Sequence, residues 1–201
     1  MIIRALLCVL ILSGFSTSVF SQTTLNGGVV NGPLTKAKSP YLVTQTIEVP
    51  KGKTLVVEPG VRIEFAGHVN LNVYGSIQAI GTAEDSIVFT AINTANGWKG
   101  IQIFKNEVDA DSNLFEYCEF SHTYQIDRNW RTDFGAFLLD TVDNIRFSKC
   151  LFTRNIAFVG GCVFAKKSQV SFSQCSFIAN QALDTGTNSP PGANGPFTSC
   201  I

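Results

Sequence analysis

The sequence predicts an all-β solenoid, a single-stranded parallel β-helix of about six rungs with roughly 22–25 residues each. Residue types recur at a nearly constant spacing, and between turn signals apolar and polar residues alternate. A fixed period of this size is typical of stacked repeats, whose inner faces become buried only when neighbouring rungs pack together. A β-sandwich would also show the alternation, but it would not repeat residue types at a constant spacing.

The C-terminal half contains the clearest repeat. Two copies of one pattern follow each other there without a gap, and corresponding residues are 25 positions apart. The residues Ile145, Phe147, Cys150, Phe152, Asn155 and Ala157 of the first copy correspond to Val170, Phe172, Cys175, Phe177, Asn180 and Ala182 of the second. An earlier copy contains Phe115, Cys118 and Phe120, and it precedes its partner by 32 residues. The seven surplus residues predict an insertion between Tyr124 and Phe134.

The N-terminal half repeats with a similar period but with different residues. The alignment predicts which residues of neighbouring rungs stack on each other. The predicted pairs are Ile47 with Leu71, Val49 with Val73, Leu55 with Ile77, Val57 with Ala79, Ile63 with Ile87, and Phe65 with Phe89. Proline and glycine separate these short runs at 50–53, 59–60 and 66–68, as expected of turns. Three short strands per rung are therefore expected.

The two ends of the chain differ from the repeats. Residues 1–21 have a basic Arg4, an apolar core and small residues before position 22, which predicts a signal peptide and export. A transmembrane anchor is the alternative, but eight to ten apolar residues are shorter than the roughly 20 that span a bilayer. Residues 22–183 are assigned to the β-helix. Residues 184–201 are rich in proline and glycine and are expected to form an irregular tail, at a truncation point or at one end of a longer assembly.

Charge excludes one class of function. Fifteen basic residues balance fifteen acidic ones in the 201-residue chain, so no field is available to hold a phosphate backbone. Nucleic acid is therefore not an expected partner. No second apolar stretch reaches membrane length, and the mature chain is expected to have no transmembrane anchor.

The repeat also assigns structural roles to cysteines and asparagines. Cys118, Cys150 and Cys175 share one repeat position and are expected to stack inside as free thiols. A disulfide between rungs remains the alternative, although parallel side chains make its geometry awkward. Asn155 and Asn180 follow by five residues and are expected to form an amide ladder with the turn backbone. No cysteine spacing favours a zinc site.

Several stretches resemble a known group. Residues 34–41, 55–61 and 97–101 resemble the opening of secreted bacterial right-handed parallel β-helix repeat proteins in the pectin-lyase-like superfamily. Residues 152–155, 160–161 and 177–180 are similar to the F-x-x-N and G-G repeats of polymorphic outer-membrane proteins, which are surface adhesins. The resemblance implies a right-handed coil. It does not select an activity, since the superfamily includes lyases, hydrolases, adhesins and members without known activity.

The insertion is the candidate binding site, because insertions on one side of a solenoid commonly carry function. Aromatic side chains there can stack on sugar rings, and charged ones can bond hydroxyl or carboxylate groups. The predicted glycan-binding residues are Tyr124, Asp127, Arg128, Trp130, Arg131 and Asp133. The alternative is a solvated loop with internal ion pairs.

Enzymatic alternatives use some of the same residues. The lyase plan of the resembled superfamily implies bound Ca²⁺, for which oxygen ligands would be Asp109, Asp111, Asp140 and Asp143, with Arg128 or Arg131 as the base. A glycosidase would need two carboxylates such as Asp127 and Asp133. Neither His68 nor His122 has a partner that sequence identifies.

The expected function is a non-enzymatic module, secreted or on the outer cell surface of a bacterium, for adhesion, surface display or glycan binding. A polysaccharide or cell-surface glycan is the expected partner, and no cofactor is required. The second hypothesis is a carbohydrate-active enzyme, either a polysaccharide lyase or a glycoside hydrolase, with Ca²⁺ as its cofactor in the lyase case.

Overall fold

A computed structural model describes residues 22–105, 113–126 and 134–183. Within these ranges the chain forms short β-strands and one 3-10 helix at Lys36–Lys38. The strands, in chain order, are β1 (Thr23–Leu25), β2 (Gly28–Val29), β3 (Gly32–Leu34), β4 (Tyr41–Val43), β5 (Ile47–Val49), β6 (Thr54–Val57), β7 (Arg62–Phe65), β8 (Leu71–Val73), β9 (Ser76–Ile80), β10 (Ile87–Ala91), β11 (Ile101–Phe104), β12 (Asn113–Glu116), β13 (Cys118–Ser121), β14 (Tyr124–Gln125), β15 (Phe137–Asp140), β16 (Ile145–Ser148), β17 (Leu151–Thr153), β18 (Ile156–Ala157), β19 (Val163–Lys166), β20 (Val170–Ser173), β21 (Ser176–Ile178) and β22 (Gln181–Ala182).

The strands stack into parallel sheets, and this confirms the predicted fold class. Sheet A has the order β1-β4-β7-β10-β13-β17-β21, sheet B has β2-β5-β8-β11-β15-β19, and sheet C has β3-β6-β9-β12-β16-β20. A short sheet D, β14-β18-β22, lies between sheets A and B along the chain. Each coil therefore visits sheets A, B and C in turn, and each strand pairs with its counterparts in the preceding and following rungs.

Most of the predicted register is correct. Ile47 pairs with Leu71, Leu55 with Ile77, Ile145 with Val170 and Phe152 with Phe177, as the repeat predicts. The paired inward residues are apolar, because alternate side chains of a strand point to opposite faces. Six of them are buried, and Val170 and Phe177 on the last described rung are half-buried. One continuous core results from six stacked layers.

One predicted pairing is wrong. Ile63 pairs with Phe89, and Phe65 pairs with Ala91, so the offset there is 26 instead of 24. A slip of two residues keeps the same side chains inward, and alternation therefore cannot distinguish the two registers. The connection before β10 absorbs the extra residues in a turn where the Thr82 hydroxyl accepts a hydrogen bond from the Asp85 amide.

Rung length varies more than predicted. The offset between paired residues is 18 from Thr23 to Tyr41 and 36 from Ala79 to Phe115. The predicted insertion is confirmed in position, because Gln125 pairs with Ala157 at an offset of 32 and Phe134 pairs with Val159 at an offset of 25. The seven surplus residues therefore lie between Gln125 and Phe134.

Phenylalanine fills the core of the C-terminal rungs. Phe115, Phe147 and Phe172 form one parallel stack at 4.9 and 5.1 Å between ring centroids, and Phe152 stacks on Phe177 at 4.8 Å. Rings on neighbouring sheets meet edge to face, as Phe120 and Phe137 do at 4.7 Å. Both arrangements suit the charge distribution of aromatic rings.

The corners of these rungs use left-handed backbone at repeated positions. Tyr117, Lys149 and Gln174 precede the three ladder cysteines and have φ of 47°, 53° and 54°. A second column, His122, Arg154 and Ala179, precedes the amide ladder with φ of 60°, 54° and 55°. Such a conformation costs about 1–2 kcal/mol for a residue with a Cβ. The backbone therefore makes the same bend at the same position of each of these rungs.

The predicted ladders are present. Asn155 is fully buried, and its Nδ2 donates to Phe120 O at 3.0 Å and to Asn180 Oδ1 at 2.9 Å. Thr123 occupies the position one rung earlier, where its amide and hydroxyl both donate to Asn155 Oδ1. The amide ladder therefore extends to a threonine that the sequence alignment did not include.

Thiol labelling tests the cysteine ladder. Cys118, Cys150 and Cys175 are free; the first two are buried, and Cys175 on the last described rung is half-buried. Burial raises the pKa of the Cys118 thiol well above its ordinary value, which further slows its reaction. We expect an alkylating reagent to modify Cys175 faster than Cys118 or Cys150 in the folded protein, and all three rapidly after denaturation. Mass spectrometry of peptides would measure this, and rapid labelling of Cys118 before denaturation would place it outside the core.

Candidate functional site

Of the six predicted glycan-binding residues, the structure describes one. Tyr124 lies in β14, where it is half-buried and pairs with Ile156, and its amide donates to Trp98 O at 3.0 Å. The other five, which all fall between Ile126 and Phe134, lie outside the described residues: Asp127, Arg128, Trp130, Arg131 and Asp133. Their role in binding stays a prediction.

The two ends of the insertion are held together at the start of sheet B. The buried Gln125 donates through Nε2 to Lys99 O at 3.0 Å and to Phe134 O. Phe134 in turn stacks on Phe164 of β19, with 4.6 Å between ring centroids. The described ends of the insertion therefore meet between β14 of sheet D and the start of β15 in sheet B.

That surface carries aromatic side chains that sequence analysis did not identify. The register places Tyr74 and Phe104 in one outward column, where their rings stack at 5.0 Å with an interplanar angle of 15°. Leu138 and Phe164 follow Gln102 in the adjacent column. All five side chains are half-buried, because they project outward from strands whose alternate residues form the core.

Amide and hydroxyl groups adjoin these rings. Asn70 Nδ2 donates to Asn72 Oδ1 at 2.6 Å, and Thr46 Oγ1 donates to Asn70 Oδ1 at 2.9 Å. Gln102 lies next to Asn72 in the same column. We refer to the outward residues Asn72, Tyr74, Gln102, Phe104, Leu138 and Phe164 as the sheet B surface. Its amides retain donor and acceptor capacity beyond these bonds.

Two segments of the sequence adjoin strands β11 and β15 of sheet B. Residues 106–112 follow β11 and connect it to sheet C, and residues 127–133 precede β15. Both segments lie outside the described residues.

The predicted Ca²⁺ ligands are not brought together among the described residues. Asp140 accepts from Lys166 Nζ at 3.3 Å and from Thr141 Oγ1 at 2.8 Å, while Asp143 is exposed. Asp109 and Asp111 lie outside the described ranges. Within those ranges, no group of three or more His, Cys, Asp and Glu side chains is arranged to hold a metal ion.

The structure supplies His122 with a partner. Its Nδ1 lies 3.3 Å from Thr90 Oγ1, which accepts a hydrogen bond from Ser121 Oγ at 2.9 Å. Both hydroxyl side chains are buried, and Ser121 is 1% exposed. A serine this inaccessible cannot attack a polymeric substrate, so the cluster does not form a nucleophilic triad.

The sequence contained a weak signal for the sheet B surface. Tyr74 and Phe104 each follow a buried valine or isoleucine by one residue, which is the outward position of a strand. Their offset of 30 differs from the period of 24 or 25, so a search at that period does not align them. Variation in rung length therefore concealed the aromatic pair.

Comparison with known proteins finds a similar sequence within a longer protein. The chain is 36% identical over 134 residues to the protein named "Protein bark beetle" from Drosophila melanogaster, and the match includes 60% of this chain. The chain covers 4% of the length of that relative. No family model matches the sequence, and no solved structure matches it.

The match is compatible with a β-repeat module, and it identifies neither a family nor an activity for this chain. The relative is an insect protein, so it gives no support to a bacterial origin or to membership of the pectin-lyase-like superfamily. Among the described residues there is no helix long and apolar enough to cross a membrane. The chain is a parallel β-helix module that resembles a small part of a much longer animal protein.

Proposed function

We propose that this chain is an extracellular, non-enzymatic β-helix module that binds a glycan through the sheet B surface. The single observation that carries the proposal is the stacked pair Tyr74 and Phe104 beside the amides of Asn72 and Gln102. Sugar rings have apolar C–H faces and polar edges, and aromatic groups next to amides match both. The parallel sheet holds this arrangement on a rigid element.

The neighbouring insertion supports the proposal that a glycan binds at this surface. Gln125 donates to Phe134 O, and Phe134 stacks on Phe164, so both described ends of the insertion lie close to one aromatic residue of that surface. A polysaccharide lying across several rungs would then contact the sheet and the insertion together. Rungs repeat at about 4.8 Å, and a sugar residue of an extended chain has a comparable length, so successive sugars meet successive rungs.

Export is part of the proposal. The predicted signal peptide at residues 1–21 supports an extracellular or cell-surface location, in keeping with adhesion or surface display. Membership of the pectin-lyase-like superfamily and a bacterial source remain predictions from the resemblance.

A retention screen on immobilised polysaccharides tests the proposal. We expect the double variant Tyr74→Ala with Phe104→Ala to lose at least fivefold in affinity for the retained polysaccharide, since stacking of a ligand ring on an aromatic side chain contributes about 1–3 kcal/mol. Tyr117→Ala is the matched control, because Tyr117 is half-buried on a different corner and stacks under Lys149. A second double variant, Trp130→Ala with Arg131→Ala, tests the insertion.

The outcomes separate the hypotheses. Unchanged retention in the Tyr74 and Phe104 variant, with an intact far-UV spectrum, would exclude the sheet B surface. Loss only in the insertion variant would move the site to residues 127–133. Release of unsaturated or reducing sugars by the unmodified protein would replace the binding module by a carbohydrate-active enzyme.

A further inference from the structure

A second polar site lies at the corner that follows strand β13 of sheet A. His122 occupies a corner with φ of 60°, directly after β13. Behind it, Ser121 Oγ donates to Thr90 Oγ1, and Thr90 Oγ1 lies 3.3 Å from His122 Nδ1. Trp98 Nε1 fixes the same segment by donating to Ser121 O at 2.8 Å. The sheet B surface uses none of these residues.

The hydroxyl relay favours one of the two neutral imidazole tautomers. Thr90 Oγ1 accepts the proton of Ser121, so its own proton is available to His122 Nδ1. An Nδ1 that accepts a hydrogen bond belongs to the neutral tautomer protonated at Nε2. His122 thus keeps its Nε2–H as a donor for a group outside the protein, while Nδ1 is occupied from within.

The register stacks Arg154 on His122, since Ser121 pairs with Thr153 and the His122 amide donates to Thr153 O at 3.4 Å. Arg154 occupies the corresponding corner of the next rung and is exposed, and the described part of the chain offers it no ion pair. Arg62 of β7 is paired with Glu64 at 2.6 Å, and Glu119 lies on β13. Partial burial, then the charge of Arg154 and, more weakly, Arg62 lower the pKa of His122, while Glu119 opposes them.

We propose that His122 and Arg154 form an oxyanion site at the corners after strands β13 and β17, which holds a carboxylate or sulfate group and binds it more tightly at acidic pH. A neutral His122 supplies one hydrogen bond through Nε2–H, and Arg154 supplies a charged planar donor. When His122 is protonated, two adjacent cations face the anion. A bound anion offsets the repulsion between them, so by linkage it raises the pKa of His122.

Ring ¹⁵N NMR of the full chain tests the site directly, because the protein has two histidines. Inorganic sulfate and acetate serve as separate probes and distinguish the two anion types. We expect either anion to shift the His122 ring signals and leave those of the exposed His68 unchanged. Affinity should increase at least threefold between pH 8 and pH 5.5, as His122 becomes charged.

Two variants provide the controls. Arg154→Gln should weaken binding at least fivefold, whereas Arg146→Gln removes the same charge from the outer surface of sheet C and should leave it unchanged. Thr90→Val removes the donor to Nδ1 and should alter the tautomer ratio of His122. Equal responses of His68 and His122, or equal losses in the two arginine variants, would overturn the proposal. A failure here leaves the sheet B surface untouched, since the retention screen uses other residues.

Discussion

Replacement of Phe120 by alanine is expected to lower the free energy of unfolding by about 3–5 kcal/mol. The ring is fully buried, and it contacts rings from the rungs on both sides and from two other sheets. Its five aromatic neighbours are Phe89, Phe115, Phe137, Phe147 and Phe152. Removal of the ring leaves a cavity that these fixed neighbours cannot fill. Chemical denaturation measures the loss.

Two controls identify the cause. Phe120→Leu retains most of the volume and should cost less than about 1.5 kcal/mol. Phe177→Ala removes the same group from the last described rung, where the ring is half-buried, and should cost less than half as much as Phe120→Ala. Equal losses at Phe120 and Phe177 would show that layer position does not control packing energy in this solenoid.

The second large effect is expected from Asn155→Ala. The substitution removes the acceptor of the buried Thr123 amide and the donor to Phe120 O, and each orphaned group costs about 1–3 kcal/mol. Water cannot replace the amide, because Asn155 is fully buried. We expect a lowered melting temperature without loss of the β-sheet spectrum in the cold.

Asn180→Ala is the matched control on the outer end of the same ladder. Asn180 is half-buried, so water can satisfy the groups it leaves, and its loss should be clearly smaller. If the two asparagine variants were equally stable, the hydrogen bonds of Asn155 would not contribute to the stability of the ladder.

The fold was predictable wherever two rungs contain the same residue types. The repeat aligns Phe147 with Phe172 and Asn155 with Asn180, and both pairs stack in the structure. The alignment paired Ile63 with Ile87, whereas its partner in the structure is Phe89. A shift of two residues leaves the same side chains facing the core, so the pattern cannot reveal it. Periodicity therefore identifies the fold and the inner face, while the turns determine the offset.

The candidate sites were less predictable for a different reason. Tyr74 and Phe104 meet across rungs of unusual length, and Thr90 meets His122 at an offset of 32 with no resemblance between them. Residue types outside the core do not have to repeat from rung to rung, because side chains there are not packed against a neighbouring layer. Only the register of the sheets brings such residues together.

Unequal rung length has a consequence for how such a chain can change over evolutionary time. Paired residues are 18 positions apart in one rung and 36 in another, yet the inward columns continue through both. Corner segments can therefore gain or lose residues without a change in the buried layers. New recognition loops can arise at the corners, one rung at a time, while the stability of the coil is preserved.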